Sequence, residues 1–328
     1  MMKDSSTATK ILSQKDAGVF RKHGWQAADL HVHTLFSPDV IPAASLKPSR
    51  LYRRARENGM DYVTFTDHDT MAAYNCLSPR IKGLVRGVEI KIKDIETVGH
   101  TIHVNVFELD SLQFQKLEEI AALGDLHGFL DLLKAEKLPF VYNHPLWFEH
   151  GEKPNLSVIP DLIKLFPVIE YNMHRIRRKN EITMELARKL GKGLIASTDT
   201  HSGMIGKAYT LSRGKDFREF YNNICQGNSY IVVRDLTKQD LMQEMDIWLD
   251  LLSSQDMISI RKRIATGMGN LDRLIAILTS KSLKDFPRLY RGALAAAHKI
   301  ANSGLPAALY IRKEISGIYE MEQILCMH

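Results

Sequence analysis

The sequence predicts an α/β fold, a seven-stranded βα barrel followed by an all-helical C-terminal region. Between residues 27 and 235, short apolar runs alternate with segments that carry apolar residues at helical spacing. Strands that alternate with helices indicate a mostly parallel sheet. Seven apolar runs are candidate strands, at residues 29–33, 62–67, 84–90, 101–108, 139–144, 168–172 and 194–199. Seven such units fit a closed or nearly closed barrel better than an open sheet.

The helices between these strands are marked by their ends. The segment 48–58 begins at Pro48 and stops before Gly59, which is the placement that these two residue types favour at helix boundaries. Apolar residues at helical spacing also cover residues 113–135, with an expected break near Gly124, and residues 176–190 and 216–225. Each helix therefore follows a candidate strand, as the βα pattern requires.

The chain divides into three predicted regions. Residues 1–26 form a polar lead-in and residues 27–235 form the barrel. Strand patterns are absent from residue 236 to residue 328, where Thr237 and Asp240 resemble a capping box that opens a helix. Further helical patterns lie at about 269–280, 286–302 and 306–325. We expect this last region to pack on the barrel or, as an oligomer contact, on another subunit.

The composition narrows the class of protein. Apolar residues make up 45% and charged residues 25% of the 328 residues, as in ordinary globular proteins. Cys76, Cys225 and Cys326 lie far apart, which argues against a disulfide framework or a thiolate zinc site. The start of the chain lacks the apolar run of a signal peptide, and no apolar stretch reaches the ~18 residues of a membrane span. We therefore expect a cytoplasmic protein without a membrane partner.

The net charge of +6 favours anionic partners, which include phosphate esters and nucleic acid. Basic residues of the C-terminal region, such as Arg261, Lys262 and Arg263, are not interleaved with aromatic residues. Extended nucleic-acid binding is therefore not evident, because it generally uses stacking platforms along a basic groove.

Histidines and acidic residues concentrate where the candidate strands end. His31 and His33 are two apart on a strand, so their side chains share one face. The carboxyl ends of barrel strands meet on one rim, where active sites are built. Buried imidazoles and carboxylates are costly unless they bind cations, and together they are ligands for zinc, manganese or iron. The predicted centre contains His31, His33, His68, His103, His144 and His201, with Asp39, Asp67, Asp69, Glu89 and Asp199 nearby.

Six motifs in order, HVHT…SPD, TDHDT, GVEI, IHV, NHP and STDTHS, resemble the polymerase-and-histidinol-phosphatase (PHP) family over about residues 27–212. The resemblance implies a distorted seven-stranded βα barrel that carries two or three divalent metal ions. It also implies that Asp67 does not bind a metal itself and instead orients a histidine that does. The implied ligands are His31, His33, Glu89 and Asp199 for the first metal, Glu89, His103 and His144 for the second, and Asp39, His68 and His201 for the third.

The resemblance further implies a metal-dependent phosphoesterase. We expect in-line attack of a metal-bound hydroxide on phosphorus, with no covalent protein nucleophile. The leaving oxygen needs a proton or a third metal, and His201, His174 or a metal-bound water could assist it. The expected substrate is a small phosphorylated metabolite, a nucleotide or a short oligonucleotide.

Phosphate also needs directional donors, and the segment 173–180, MHRIRRKN, follows the sixth candidate strand. Arg175 and Arg177 are the best candidates for bidentate phosphate contacts. Arg178 and Lys179 are expected on the surface of the helix, and Lys207 is a weaker candidate.

Two other functions are compatible with the motifs. A metal-bearing barrel could have a mainly structural or partner-binding role through its helical C-terminal region. The nearly complete set of ligands favours catalysis instead, because degenerate barrels lose ligands. Hydrolysis of a C–N bond is the other alternative, and the TDHDT and GVEI motifs argue against it.

Overall fold

The computed structural model describes residues 10–78, 80–253 and 269–325 of the chain. Arg261, Lys262, Arg263 and Cys326 lie outside the described residues. One sheet runs through the described residues, and its strands are β1 (Lys10–Leu12), β2 (Gln26–Asp29), β3 (Tyr62–Phe65), β4 (Leu84–Asp94), β5 (His100–Phe107), β6 (Phe140–Tyr142), β7 (Val168–Asn172), β8 (Gly193–Ser197), β9 (Tyr209–Ser212) and β10 (Ser229–Val232).

Helices follow most of these strands. Those before residue 237 are α1 (Gln14–Lys22), α2 (Pro48–Glu57), α3 (Ser111–Ala122), α4 (Leu126–Ala135), α5 (Ile159–Leu165), α6 (Arg177–Lys189) and α7 (Phe217–Cys225). Short 3₁₀ turns lie at Ala44–Leu46, Ala72–Cys76 and Leu156–Val158. The helices that follow are α8 (Lys238–Ser253), α9 (Gly269–Thr279), α10 (Lys281–Lys284), α11 (Pro287–Asn302), α12 (Leu305–Ser316) and α13 (Ile318–Leu325).

Two long predicted helices are divided in the structure. The expected break near Gly124 is confirmed: Gly124 has a φ of +70°, and the side chain of Asp125 caps α4. The segment 306–325 forms α12 and α13, which meet at Gly317, a residue of low helix propensity. The lead-in also contains β1 and α1. The division of the chain into three regions stays a prediction.

The sheet has the strand order β1-β10-β9-β2-β3-β4-β5-β6-β7-β8. Six of the seven predicted strands coincide with strands of this sheet, whereas the first, predicted at 29–33, is shifted to Gln26–Asp29, so His31 and His33 follow the strand instead of lying on it. With β1, β9 and β10 the count in the described residues is ten, so the seven-strand count is not confirmed. The three additional strands lie outside the seven predicted runs, β1 in the lead-in and β9 and β10 after the last candidate strand. The structure supports an α/β fold built on one curled sheet.

The sheet is parallel from β2 to β4 and from β6 to β8, whereas β5 runs antiparallel to both of its neighbours. A short turn joins β4 to β5, and a turn without a helix permits only antiparallel pairing. The two edges of the parallel part curl toward each other. Val32 and Thr200, which follow β2 and β8, form a parallel bridge, and the amide of His33 donates to the Thr200 carbonyl at 3.1 Å.

The buried hydroxyl of Tyr74 joins β3 to β4. It accepts hydrogen bonds from the amides of Phe65 at 2.9 Å and Gly87 at 2.8 Å. These residues lie two positions before Asp67 and Glu89, so the hydroxyl fixes the strand ends that carry predicted site residues.

We expect Tyr74→Phe to lower the free energy of unfolding by about 2–4 kcal/mol, because two buried amides would lose their acceptor. Urea denaturation followed by circular dichroism measures this change. Tyr319→Phe, at an exposed tyrosine, is the control and is expected to stay within about 0.5 kcal/mol of the wild type. Equal stabilities of the two variants would contradict the role of the Tyr74 hydroxyl.

The helices α8 to α13, here called the helical segment, pack on the loop that follows β2. Ile41 in this loop is fully buried in an apolar cluster with residues of α8, α9 and α11, namely Leu249, Leu252, Ile275, Leu278, Ala297 and Ala301. Met321 of α13 belongs to the main apolar core, and α13 packs against α6 and the 3₁₀ turn Leu156–Val158. None of the described helices combines the length and apolar character needed to cross a membrane, and the cytoplasmic location stays a prediction.

Candidate metal centre

Each of the strands β2 to β8 brings at least one polar side chain to a common buried site. His31 and His33 follow β2, His68 follows β3, and Glu89 and His103 lie within β4 and β5. His144 follows β6, while Asp199 and His201 follow β8. The expected convergence of strand ends therefore occurs, and it includes β5 although that strand runs in the opposite direction.

Glu89 lies at the centre of this site and is fully buried. Its Oε1 accepts a hydrogen bond from the Asn143 amide at 2.8 Å. Both carboxylate oxygens face imidazole nitrogens: Oε2 lies 3.0 Å from His31 Nε2, 3.3 Å from His33 Nε2 and 3.1 Å from His68 Nδ1, and Oε1 lies 3.0 Å from His103 Nδ1 and 3.4 Å from His144 Nε2. One carboxylate thus faces five of the six histidines of the site, and the sixth, His201, faces Asp39 instead.

Asp199 faces the same histidine pair as Glu89. Its Oδ1 lies 3.3 Å from His31 Nε2 and 3.2 Å from His33 Nε2. Asp199 has a φ of +49° and His144 a φ of +28°, a backbone region that is strained for residues with a side chain. The surrounding structure holds both residues in strained conformations at the place where their side chains reach the site.

The turn Ser37-Pro38-Asp39 brings an acid back over the strand ends. Asp39 Oδ2 lies 2.8 Å from His201 Nε2 and 3.2 Å from His68 Nε2, and the Ser37 hydroxyl donates to Oδ1 at 2.6 Å. His33 completes this group, because its ring stacks on the His201 ring with centroids 4.3 Å apart. The structure therefore brings together all nine residues predicted as metal ligands.

The donor atoms of this site fit divalent cations. Within the described residues, four overlapping groups place imidazole nitrogens and carboxylate oxygens within 4.8 Å of one another. The Nε2 atoms of His31 and His33 face each other at 3.0 Å, and His103 Nε2 is buried with no hydrogen-bond partner among the described residues. Crowded nitrogens and oxygens of this kind are ligands for zinc, manganese and iron.

Electrostatics in the site favours ionised carboxylates. Burial by itself raises the pKa of Glu89, but the charges of His31, His68 and His103 outweigh it and hold this pKa well below its usual range. Burial lowers the pKa of His33, yet hydrogen bonds to Asp199 and Glu89 outweigh it and raise the pKa to about 10. Without bound cations, protons on the histidines therefore balance the negative charge of the buried carboxylates. Cations would compete with these protons for the site.

Glu170 in β7 is a buried acid that the sequence analysis did not select. Its Oε1 accepts from His31 Nδ1 at 2.8 Å, which leaves His31 Nε2 to face the centre. Its Oε2 accepts from the His144 amide at 2.9 Å and from the Asn172 side chain at 3.1 Å. The sequence contains one signal for Glu170, its place within the apolar run VIEYN. An acidic residue is rare in a buried strand unless it has a partner.

The two predicted phosphate-binding arginines lie in different surroundings. Arg175 is buried beside the centre, with Nη2 3.4 Å from Asp199 Oδ2 and its guanidinium 4.8 Å above the Trp147 ring. The structure does not bring Arg177 to the centre. Its side chain is 70% exposed and pairs with Glu181 at 2.7 Å, because α6 begins at this residue and turns it toward solvent.

His174 lies at the edge of the centre. Its Nδ1 donates to the Asp199 carbonyl at 3.2 Å, and its Nε2 lies 4.0 Å from Glu244 of α8. Lys207 lies nearby but contacts Met204 Sδ at 3.1 Å rather than a ligand of the centre.

Two expectations about neighbouring residues, those for Asp67 and Lys179, are corrected by the structure, and Asp69 has a structural role. Asp67 does not orient a histidine; it accepts hydrogen bonds from Thr34, including one from the hydroxyl at 2.6 Å, and so holds the loop after His33. Lys179 is not on the helix surface, because α12 covers it and Glu314 pairs with it at 2.9 Å. Asp69 accepts from the Lys91 amide at 3.0 Å and thereby ties the loop after His68 to β4.

A curled α/β sheet whose strand ends gather histidines and carboxylates is the arrangement of a metal-dependent hydrolase. The chain belongs to the PHP domain family, whose family model matches residues 29–235. No curated protein matches the chain.

Several solved structures are similar to this chain. The lesion-specific endonuclease PfuEndoQ from Pyrococcus furiosus has 13% identity and a TM-score of 0.47, covering 85% of this chain and 91% of that one. A protein assigned as a metal-dependent phosphoesterase from Bifidobacterium adolescentis has 17% identity and a TM-score of 0.40, covering 61% and 96%. PsfC from Pseudomonas syringae has 17% identity and a TM-score of 0.41, covering 66% and 87%.

Proposed function

We propose that the protein is a metal-dependent phosphoesterase. Its substrate would be a small phosphorylated metabolite, a nucleotide or a short oligonucleotide. The observation that carries the proposal is the fully buried Glu89, whose two oxygens face five imidazole nitrogens at 3.0–3.4 Å. Neighbouring ligand groups that share one carboxylate suit closely spaced cations, and closely spaced cations suit phosphoryl chemistry.

Two or three divalent ions, zinc, manganese or iron, would occupy a trinuclear centre. Bound there, they would lower the pKa of a coordinated water and neutralise charge on the phosphoryl oxygens. The first set of ligands would be His31, His33, Glu89 and Asp199, the second Glu89, His103 and His144, and the third Asp39, His68 and His201.

Arg175 would bind the phosphoryl group of the substrate. Its guanidinium lies between Asp199 of the first ligand set and Trp147, whose ring packs edge-on against His103 and His144 of the second. A guanidinium buried at this position can reach only a group next to the cations. Its planar fork matches two phosphoryl oxygens.

His174 is better suited than His201 to donate a proton to the leaving oxygen. Both histidines donate from Nδ1 to the Asp199 carbonyl, so Nε2 is the atom that remains for chemistry in each. His201 Nε2 faces Asp39 at 2.8 Å within the third ligand set, where a cation would occupy its lone pair. His174 Nε2 lies outside these sets and can carry a proton.

One experiment tests the proposed function. Bound metals are measured first, and the metal-loaded protein is then assayed with a nucleoside monophosphate, a bisphosphate nucleotide, histidinol phosphate, a phosphodiester and a short RNA. His33→Ala is assayed beside the wild type. We expect at least one substrate to be hydrolysed by the wild type only. If the two proteins do not differ on any substrate, the proposal is wrong.

We expect Arg175→Ala to lower kcat/KM by at least about ten-fold, because it removes a charge-assisted contact to the substrate. Steady-state kinetics on the best substrate of the panel measures this change. Arg188→Ala is the control, since Arg188 is an exposed residue near the end of α6, the helix that follows Arg175. Unchanged kinetics in Arg175→Ala would remove this residue from the phosphate site.

The alternative function is a metal-bearing barrel that binds a partner, or a second copy, through the helical segment. Large exposed apolar side chains on this segment favour it, namely Ile277, Phe286, Leu289, Ile300, Leu305, Leu309, Ile315 and Tyr319. Such side chains mark contact surfaces when they are contiguous. Catalytic inactivity of the metal-loaded wild type together with a dimeric mass by light scattering would favour this alternative.

A further inference from the structure

The helical segment reaches the candidate centre through Arg175. The Tyr310 hydroxyl on α12 accepts a hydrogen bond from Arg175 Nη1 at 3.3 Å, while Arg175 Nη2 faces Asp199 Oδ2 at 3.4 Å. The guanidinium face lies against Trp147, so the group is held from three sides. Arg175 Nε is buried and has no hydrogen-bond partner in the described part of the chain.

A buried ion pair fixes the position of Tyr310. Lys179 and Glu314 meet at 2.9 Å, and their side chains are only 8% and 10% exposed. Lys179 lies four residues after Arg175, and Glu314 lies four residues after Tyr310. Because residues four apart share one helix face, the two contacts lie one above the other along α12. A shift of α12 by one turn would break both.

We propose that Tyr310 is a positioning residue that holds Arg175 in the orientation in which it binds the phosphoryl group of the substrate. The helical segment is then a part of the active site. This inference rests on the proposed phosphoesterase function and goes beyond it, because it assigns a role to a residue outside the matched family region, residues 29–235.

Arg175 needs Tyr310 because an arginine side chain has considerable conformational freedom. Without the hydroxyl of Tyr310, Arg175 keeps Asp199 as a hydrogen-bond partner and can turn fully toward that carboxylate. Substrate phosphate would then have to compete with Asp199 for the guanidinium, and this competition would weaken substrate binding. The chemical step itself does not involve Tyr310, so the effect falls on KM rather than on kcat.

The test compares Tyr310→Phe with the wild type and with Tyr319→Phe, which removes an exposed hydroxyl from α13. A chromogenic phosphate ester gives KM and kcat, and inorganic phosphate gives an inhibition constant. Metal content is measured on the same samples. We expect Tyr310→Phe to raise both KM and the phosphate inhibition constant about ten-fold. kcat is expected to stay within about three-fold of the wild type, with metal content unchanged.

A second variant separates positioning from folding. Glu314→Gln weakens the ion pair that sets the position of α12 and leaves Tyr310 in the sequence. It is expected to raise KM in the same direction as Tyr310→Phe, with circular dichroism like that of the wild type.

The outcomes distinguish this inference from the function on which it rests. An active wild type whose KM and phosphate inhibition constant are unchanged in Tyr310→Phe overturns the role of Tyr310 alone. A fall in kcat or in metal content without a change in KM also overturns it, because the residue would then be structural. A metal-loaded wild type that neither hydrolyses any ester nor binds inorganic phosphate overturns the proposed function and this inference together.

Discussion

Glu89→Gln is expected to lower kcat/KM by at least about a thousand-fold and to remove bound metal, because cation clamping of phosphoryl oxygens is worth several kcal/mol. The substitution keeps the size of the side chain and removes its charge. Both oxygens of Glu89 face imidazoles, so the amide nitrogen of glutamine would point at one group of histidines. A nitrogen with two protons cannot serve as a ligand there.

Metal content by mass spectrometry of digested protein and kcat/KM for the best substrate measure this effect. Glu96→Gln is the matched control, since Glu96 is exposed and lies in the turn that joins β4 to β5. Full metal content in Glu89→Gln would show that Glu89 is not shared between neighbouring ligand sets.

Glu170→Gln is expected to weaken metal binding about ten- to a hundred-fold, the usual effect of losing a group that orients a metal ligand. Glu170 accepts from four donors, which are His31 Nδ1, the Ser197 hydroxyl, the His144 amide and the Asn172 side chain. Glutamine offers only one acceptor oxygen, so the donors at its other end would be unsatisfied. The free energy of unfolding of the metal-free protein should also fall, by about 2–4 kcal/mol.

Competition with a chelator of known affinity measures the metal binding, and urea denaturation of the metal-free protein measures the stability. Glu185→Gln on the exposed face of α6 is the control. A Glu170→Gln variant with the metal affinity of the wild type would mean that His31 does not need its carboxylate partner.

The histidines and acids of the centre were accessible from the sequence because they lie where apolar runs end, and the resemblance to the PHP family implied which of them are ligands. Strand ends can be located approximately from apolar runs, and a histidine pair spaced by two residues shares a face wherever the backbone is extended. Asp39 was accessible in a similar way, since Ser-Pro-Asp after the first apolar run is a turn signal and indicates that the chain reverses there. The turn indeed delivers Asp39 to within 2.8 Å of His201.

The positions of the residues around the ligands depend on contacts between distant parts of the chain. Local sequence patterns do not carry this information. In the sequence, Lys179 has the pattern of a surface residue of α6. In the structure it is covered by α12, which lies more than a hundred residues later in the chain and contributes Glu314. Arg175 and Arg177 look equivalent in the sequence, and the start of α6 between them sends one inward and the other outward. Glu170 was overlooked because a single acid in an apolar strand gains a meaning only when its four donors are known.

The burial of Ile41 among the helices α8, α9 and α11 has a thermodynamic consequence. Ile41 is two residues from Asp39, so the apolar packing of the helical segment and the position of one predicted ligand share the same short loop. Coupling of this kind is reciprocal: if the helices favour the loop conformation that binds a cation, the cation stabilises the helices by the same free energy. Cations added to the metal-free protein should therefore slow proteolysis within α8 to α11, although these helices contain none of the predicted ligands.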